Sequence, residues 1–218
     1  MTRAASHRPV PERIVLEGRS VTLEPLTAAH ATTLWPAARD APESWRWLPV
    51  GPFNQERQFQ AYLRLASRSE AEVIWAVRPN HMAHAAGWLA LLDIRPADAA
   101  IELGNIWFPP GLSRTRAATE ALFLMLRHAF DDLGYRRVGW KCNARNTASR
   151  HAAERLGFRL EGVLRAHMIV KGEERDSAYF SMLDTEWADR RPAFEKWLAD
   201  DNFDRDGHAL TPLARNTG

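Results

Sequence analysis

Apolar and polar positions along the chain follow two periods. From Val21 to Leu26, in GRSVTLEPL, they alternate, which predicts a half-buried strand opening after a glycine turn. Helical spacing follows in TAAHATTLWPAARD, with Thr27 as N-cap, and in NQERQFQAYLRLASRS, where Phe59, Tyr62, Leu63 and Leu65 recur at roughly helical intervals. The intervening APESWRWLPVGPF is too rich in proline and aromatics to be regular and predicts a loop. EVIWAVRP, AAGWLALLDI and AIELGNIWF predict three strands, and the turn residues Pro79-Asn80 and RPADA between them predict an antiparallel meander. Gly104, inside the third, marks a bulge or a close approach to the backbone.

The stretch GLSRTRAATEALFLMLRHAF is different. Ala118, Ala121, Leu122, Met125, Leu126 and Ala129 follow the i, i+3, i+4 pattern, and Phe123 and Leu124 widen the apolar surface until both sides need covering. This predicts a core helix ending near Gly134. RRVGWKCN then reads as a strand, NTASRHAAERLG as a helix with Asn146 as N-cap and Gly157 as stop, FRLEGVLR as a strand and RDSAYFSMLDTEW as the last strand. The order defines an α/β (α+β) chain: strand, two helices, three strands, helix, strand, helix, two strands. Residues 1–12 and 204–218 read as tails around a single domain at 13–203.

Composition narrows the function classes. With 218 residues, 45% of them hydrophobic, the chain supports one sizeable core. Lysine and arginine number 29 against 27 aspartates and glutamates, and they are interleaved without a polybasic block, which argues against nucleic-acid binding. Cys142 is the one cysteine, so internal disulfides are excluded and a small buried thiol is expected. No signal-like start and no run of eighteen apolar residues occur, predicting a cytoplasmic protein without membrane association. His30, His81, His84, His128, His151 and His167 show no metal-ligand spacing with an acidic or cysteine partner, and no metal is expected.

Chemistry concentrates where the third strand of the meander ends at Pro109-Pro110-Gly111 and feeds the core helix. The free N–H groups and dipole of a helix start suit an anion. Gly111, Ser113, Thr115, Arg116, Ala117 and Ala118 would surround it, with Thr119 on the same turn and charge from Arg114 and Arg116. Ordinary capping by serine and threonine explains the same residues, so both readings stand at this point.

Three stretches decide more: ATEA within SRTRAATEALFLMLRHAF, the run LGYRRVGWKCNARNTASRHAAERLGFRLEGVLR, and RDSAYFSML. From about Gly18 to Trp187 the chain resembles the GCN5-related N-acetyltransferases (GNAT), in particular their RimJ/RimL-like branch. The resemblance implies a mixed, mostly antiparallel sheet of six to seven strands flanked by about four helices and splayed between the fourth and fifth predicted strands. It implies acetyl-CoA as acyl donor, its pyrophosphate on the amides of Ser113 to Thr119. It also implies that the backbone of Ile106, Trp107 and Phe108 faces the thioester and polarises its carbonyl, that Asn146 meets the pantetheine arm with Arg150 nearby, and that Ser149 lies near the sulfur as general acid. Many members carry a tyrosine seven residues after the asparagine; here Ala153 stands there. The family pattern has glycine where Arg116 stands, which leaves the backbone donors in place but narrows the approach to them.

Direct transfer through a tetrahedral intermediate requires an amine to lose a proton, a carbonyl to be polarised and a thiolate to leave. Glu102 is the candidate general base, directly or through water, with Asn105 as an alternative and a solvated surface carboxylate as the plain reading. Glu43, Trp45, Arg46 and Trp47 lie in the segment that covers the acceptor side in the family; the tryptophans are an apolar wall or pin the loop to the core. The expected partners are a primary amine, on a protein N-terminus or a small molecule, and a second copy in a homodimer. Succinyl-CoA as donor, or a catalytically silent CoA-binding module, are the alternatives.

Overall fold

The computed structural model describes residues 7–213. Its strands hydrogen-bond in the order β1-β2-β3-β4-β5-β6-β8-β7, where β1 is Leu16–Glu17, β2 Val21–Pro25, β3 Glu72–Pro79, β4 Gly87–Arg95, β5 Ala100–Trp107, β6 Arg137–Asn143, β7 Arg159–Val170 and β8 Glu173–Leu183. Five helices accompany them: α1 His30–Asp40, α2 Glu56–Ala66, α3 Arg116–Arg127, α4 Thr147–Leu156 and α5 Asp184–Trp197. The sheet is mixed. β1–β2, β2–β3, β3–β4, β6–β8 and β7–β8 pair antiparallel, whereas β5–β6 is a parallel ladder running from Ala100↔Arg137 to Glu102↔Gly139.

Two compact units divide the chain within β5. One comprises Val10–Ile94 and Leu103–Met125, the other Arg95–Glu102, the chain from Leu126 onward and the residues before Val10.

The first unit is built on aromatic packing. Trp45, Trp88, Trp107 and Phe59 are completely buried among Leu26, Leu34, Leu63 and Ile74. Trp45 stacks on Trp107 at 4.7 Å between centroids and tilts against Trp88 at 5.6 Å. Two of these indoles are satisfied, Trp45 Nε1 donating to Ala38 O at 3.1 Å and Trp107 Nε1 to Ser44 Oγ at 3.0 Å, whereas Trp88 Nε1 is buried without a hydrogen-bond partner. Each such ring pair adds about 0.5–1.5 kcal/mol beyond area burial. Gly87 is a steric requirement here, because a Cβ would lie 2.4 Å from Trp107 O and 2.8 Å from Leu112 Cδ2.

Glu120, the glutamate of ATEA, explains why that motif opens the core helix. Although buried, its carboxylate accepts from Arg19 N–H at 2.7 Å and Ser20 N–H at 2.6 Å, and from the Ser20 hydroxyl. The β1–β2 turn thus hangs on α3, and three donors answer one buried charge.

In the second unit the predicted caps of α4 are present. Asn146 Oδ1 accepts from Ser149 N–H at 3.1 Å, and Gly157 ends the helix in a left-handed conformation at φ 100°. Arg190 then covers that end. It is buried, and its Nε donates to Leu156 O at 2.9 Å while its Nη2 donates to Arg155 O. Burial, and secondarily the charge of Arg155, pull its pKa down to about 10.

Several expectations need correction. RDSAYFSMLDTEW is a strand only to Leu183, and DTEW begins α5, which the period-2 reading passed over. Leu183 N–H donates to Glu186 Oε2 at 2.8 Å, fixing the start, and Trp187, Arg190, Phe194 and Trp197 form its buried stripe. Among the described residues the strands number eight rather than six or seven, because the two-residue β1 adds one. Thr27 does not cap α1 through its side chain; its N–H donates to His30 Nδ1 at 3.0 Å, and the helix begins at His30. Of the expected tails, residues 1–6 and 214–218 lie outside the described residues. Arg8 N–H donates to Pro96 O at 3.1 Å, and at the other end Trp197 Nε1 donates to Thr211 O at 3.0 Å while Leu213 is buried, so both adjoining stretches are tied down. Asp204, Asp206 and His208 place ligand-type atoms within 4.8 Å of one another in the exposed turn there. Asp204 Oδ1 accepts from the N–H groups of both other residues, so the turn itself brings them together.

Candidate active site

The end of β5 carries a backbone irregularity one residue beyond the glycine expected to mark it. Asn105 has φ 44°, a left-handed conformation that asparagine tolerates better than most residues. Its side chain is held: Nδ2 donates to Glu72 Oε2 at 2.8 Å, linking β5 to the start of β3. Its Oδ1 is buried without a hydrogen-bond partner. Ile106 and Phe108, which follow, are half-buried, whereas the Trp107 side chain is wholly inside the aromatic core and only its backbone can face a ligand.

After β5 the chain turns through Pro109–Thr115 into α3. Leu112 and Ser113 N–H donate to Pro109 O, both at 2.9 Å, and Arg114 adopts φ 66°. Thr115 Oγ1 accepts from Ala118 N–H at 3.1 Å and donates to Leu112 O at 2.8 Å, so capping is one real function of this threonine. It engages one amide of the several that a helix start presents. Ser113 and Arg114 are exposed, Arg116 is half-buried, and Ala117, Ala118 and Thr119 are buried. Two arginines, Arg114 and Arg116, therefore stand in the chain at the start of a buried helix. That donor set fits a diphosphate.

In the other unit, Ser149 Oγ accepts from Trp140 Nε1 at 3.0 Å. The indole occupies a lone pair of the hydroxyl, whose own donor side meets the neighbouring Cys142 thiol. Cys142 lies beside it: burial pushes this thiol up, and the Ser149 hydroxyl, then Arg175 and Arg150, pull the other way. Arg150 is half-buried at the first turn of α4. Glu102 is buried and already has a counter-charge, Lys141 Nζ at 3.3 Å from its Oε2.

The residues of the irregular segment separate. Trp45 is the loop's pin and presents no surface to an acceptor. Glu43 and Arg46 are exposed, and the Arg46 guanidinium lies over the half-buried Trp47 ring at 4.7 Å. Sequence reasoning missed Glu72 and Tyr62. Tyr62, on α2, is half-buried; burial pushes its hydroxyl up to about 12, Asn105 opposes this, and the charge of Glu72 adds to it. Glu72 opens a strand and Tyr62 sits on the edge of an apolar stripe, so neither carries a local signal.

A strand with a left-handed residue is thus delivered by a short turn into the start of a buried helix. The family model "Acetyltransferase (GNAT) domain" matches residues 20–159, and the chain belongs to this family. The crystal structure of a GCN5-related N-acetyltransferase from Brucella melitensis superposes with a TM-score of 0.92 at 45% identity, covering 94% of this chain and 95% of that one. A "probable acetyltransferases (GNAT family)" from Chromobacterium violaceum ATCC 12472 gives 0.81 at 39% identity over 86% and 95%. A curated relative, "Putative ribosomal N-acetyltransferase YdaF" from Bacillus subtilis (strain 168), is 30% identical over 101 residues, 46% of this chain and 55% of that protein. The chain thus spans little more than half the length of that curated relative. Among the described residues, no helix is long and apolar enough to cross a membrane.

Proposed function

We propose that the protein transfers an acetyl group from acetyl-CoA to a primary amine. The observation that carries this reading is the start of α3, where a buried helix opens between Arg114 and Arg116 directly after a strand with a left-handed residue. Acetyl-CoA supplies the thioester. Amides of the Ser113–Thr119 turn hold its diphosphate, with Arg116 adding charge where the family has glycine. Backbone N–H groups from Ile106 to Phe108 polarise the carbonyl, Asn146 and Arg150 position the pantetheine arm, and the Ser149 hydroxyl, already accepting from Trp140, gives its proton to the departing thiolate. The acceptor is a protein N-terminus, consistent with a curated relative named as a ribosomal N-acetyltransferase, and Glu43, Arg46 and Trp47 select it. A homodimer is part of the reading: β7 turns Leu160, Leu164 and Ile169 to solvent, and analytical ultracentrifugation tests it.

Calorimetric titration with acetyl-CoA, succinyl-CoA and free CoA is the test. Saturable one-site binding of acetyl-CoA, weakened by Arg116→Glu, is expected; binding of none of the three overturns the proposal. Transfer from succinyl-CoA in preference to acetyl-CoA would replace the donor.

A further inference from the structure

We infer that Glu72 is the group that receives the acceptor's ammonium and takes its proton, with Asn105 as the positioning residue that holds it beside the reacting carbonyl. The inference rests on the acetyltransferase reading above.

Three features of this cluster belong together. Glu72 is half-buried, and among the described residues no lysine, arginine or histidine pairs with it. Its one hydrogen-bonded neighbour is the neutral Asn105 amide, at 2.8 Å. Asn105 Oδ1, on the same amide, is a buried acceptor with no donor. A buried oxygen left so keeps the full cost of its desolvation unless something fills it. A carboxylate, an orphaned amide oxygen and an aromatic flank from Tyr62 make a receptor for a group that is cationic and rich in N–H donors. A primary ammonium is such a group.

Position follows from the backbone. Asn105 immediately precedes Ile106, the first residue of the stretch assigned to the thioester carbonyl, and it combines a left-handed φ of 44° with the side-chain bond to Glu72. The carboxylate is therefore fastened to the residue that sets the direction of those N–H groups. Proton affinity is suited as well. Burial pushes the Glu72 carboxyl up, with the Asn105 hydrogen bond opposing. The titratable neighbour is Tyr62, whose hydroxyl, pushed up to about 12, stays protonated at neutral pH and leaves Glu72 as the base. Glu102 contrasts with this, since Lys141 already balances its charge.

The step balances without further reagents. The ammonium gives one proton to Glu72; the freed nitrogen lone pair forms the N–C bond. The C–S bonding pair leaves on sulfur, and the second proton lost by nitrogen matches the one the thiolate acquires. Glu72 returns its proton to solvent.

The test uses the full chain with acetyl-CoA and two probes, a hexapeptide with free N-terminal serine and one with N-terminal alanine. Thiol release and peptide mass are followed from pH 5 to 9. Glu72→Gln keeps an oxygen for the Asn105 donor, so acetyl-CoA affinity should stay near wild type and the thermal midpoint should not fall below it. Its kcat/KM should fall by about 10²–10⁴-fold and lose the acidic limb of the pH profile. Glu72→Asp, which keeps a carboxylate, should retain that limb at reduced rate. Glu72→Gln turning over at more than half the wild-type rate, or with an unchanged acidic limb, overturns the inference alone. Wild-type protein that acetylates neither peptide overturns the inference as stated for peptide amines, and failure to bind acetyl-CoA identifies the broader reading as the one at fault.

Discussion

Glu72 and Glu102 are both glutamates on sheet strands, one in each unit, and their surroundings are opposite. Glu102 is buried against an ammonium, whereas Glu72 is half-buried against a neutral amide. The first arrangement holds a charge in place. The second leaves the carboxylate with unmet demand for a proton or a cation, which is the condition a base or an amine receptor needs. The sequence EVIWAVRP advertises nothing of this, while AIELGNIWF places Glu102 on the more conspicuous strand.

The contrast can be broken most forcefully at Lys141. Lys141→Met strips Glu102 of its counter-charge and should cost about 2 kcal/mol in urea unfolding, below the ~3–5 kcal/mol of fully buried pairs because the lysine keeps some solvent. The double variant Lys141→Met/Glu102→Met should recover most of that loss. If the single variant is neutral, the pair is not what makes Glu102 tolerable. Next in size is Asn105. Asn105→Ala loses both the bond to Glu72 and a residue suited to positive φ, and should cost about 1–2 kcal/mol; Asn105→Gly keeps the backbone conformation and should cost less. Equal losses would mean that the conformation contributes nothing.

The smallest effect is a pH dependence with opposite signs at two glutamates. Glu72 has its folded pKa raised by burial, so the folded state holds its proton more tightly than the unfolded chain. Its ionisation lowers stability as pH rises from the ordinary glutamate range through the raised value. Glu72→Gln should therefore gain on wild type in thermal midpoint across that window. Glu161 is pulled down, first by Arg137 and then by the Ser181 hydroxyl, with burial opposing. Its contribution is present above the ordinary range and is lost as pH falls through the lowered value. Glu161→Gln should match wild type at low pH and fall behind it near neutrality, by a modest amount because the pair is exposed.

What could be read directly from the chain was local. Asn146 as cap, Gly157 as stop and the double-sided apolar helix after Gly111 each rest on chemistry within a few residues, and each is present. The start of α5 was equally local, in Glu186 three residues after Leu183, but an alternating run leading into it hid the change of period. The contacts that organise the site are long-range. Asn105 meets Glu72 across 33 positions of sequence, and Glu120 meets the β1–β2 turn across 100 and 101. No periodicity reports such a pairing, because each partner alone looks like a polar residue on an otherwise ordinary element.

The Glu120 anchor has a kinetic consequence. Arg19 and Ser20 lie in a short surface turn, where amide hydrogens ordinarily exchange with solvent almost at once. Here both are bonded to a carboxylate carried by the core helix. Their exchange must wait for that carboxylate to be released, so two turn amides become a spectator's view of how often the first turns of α3, and with them the proposed diphosphate site, come loose.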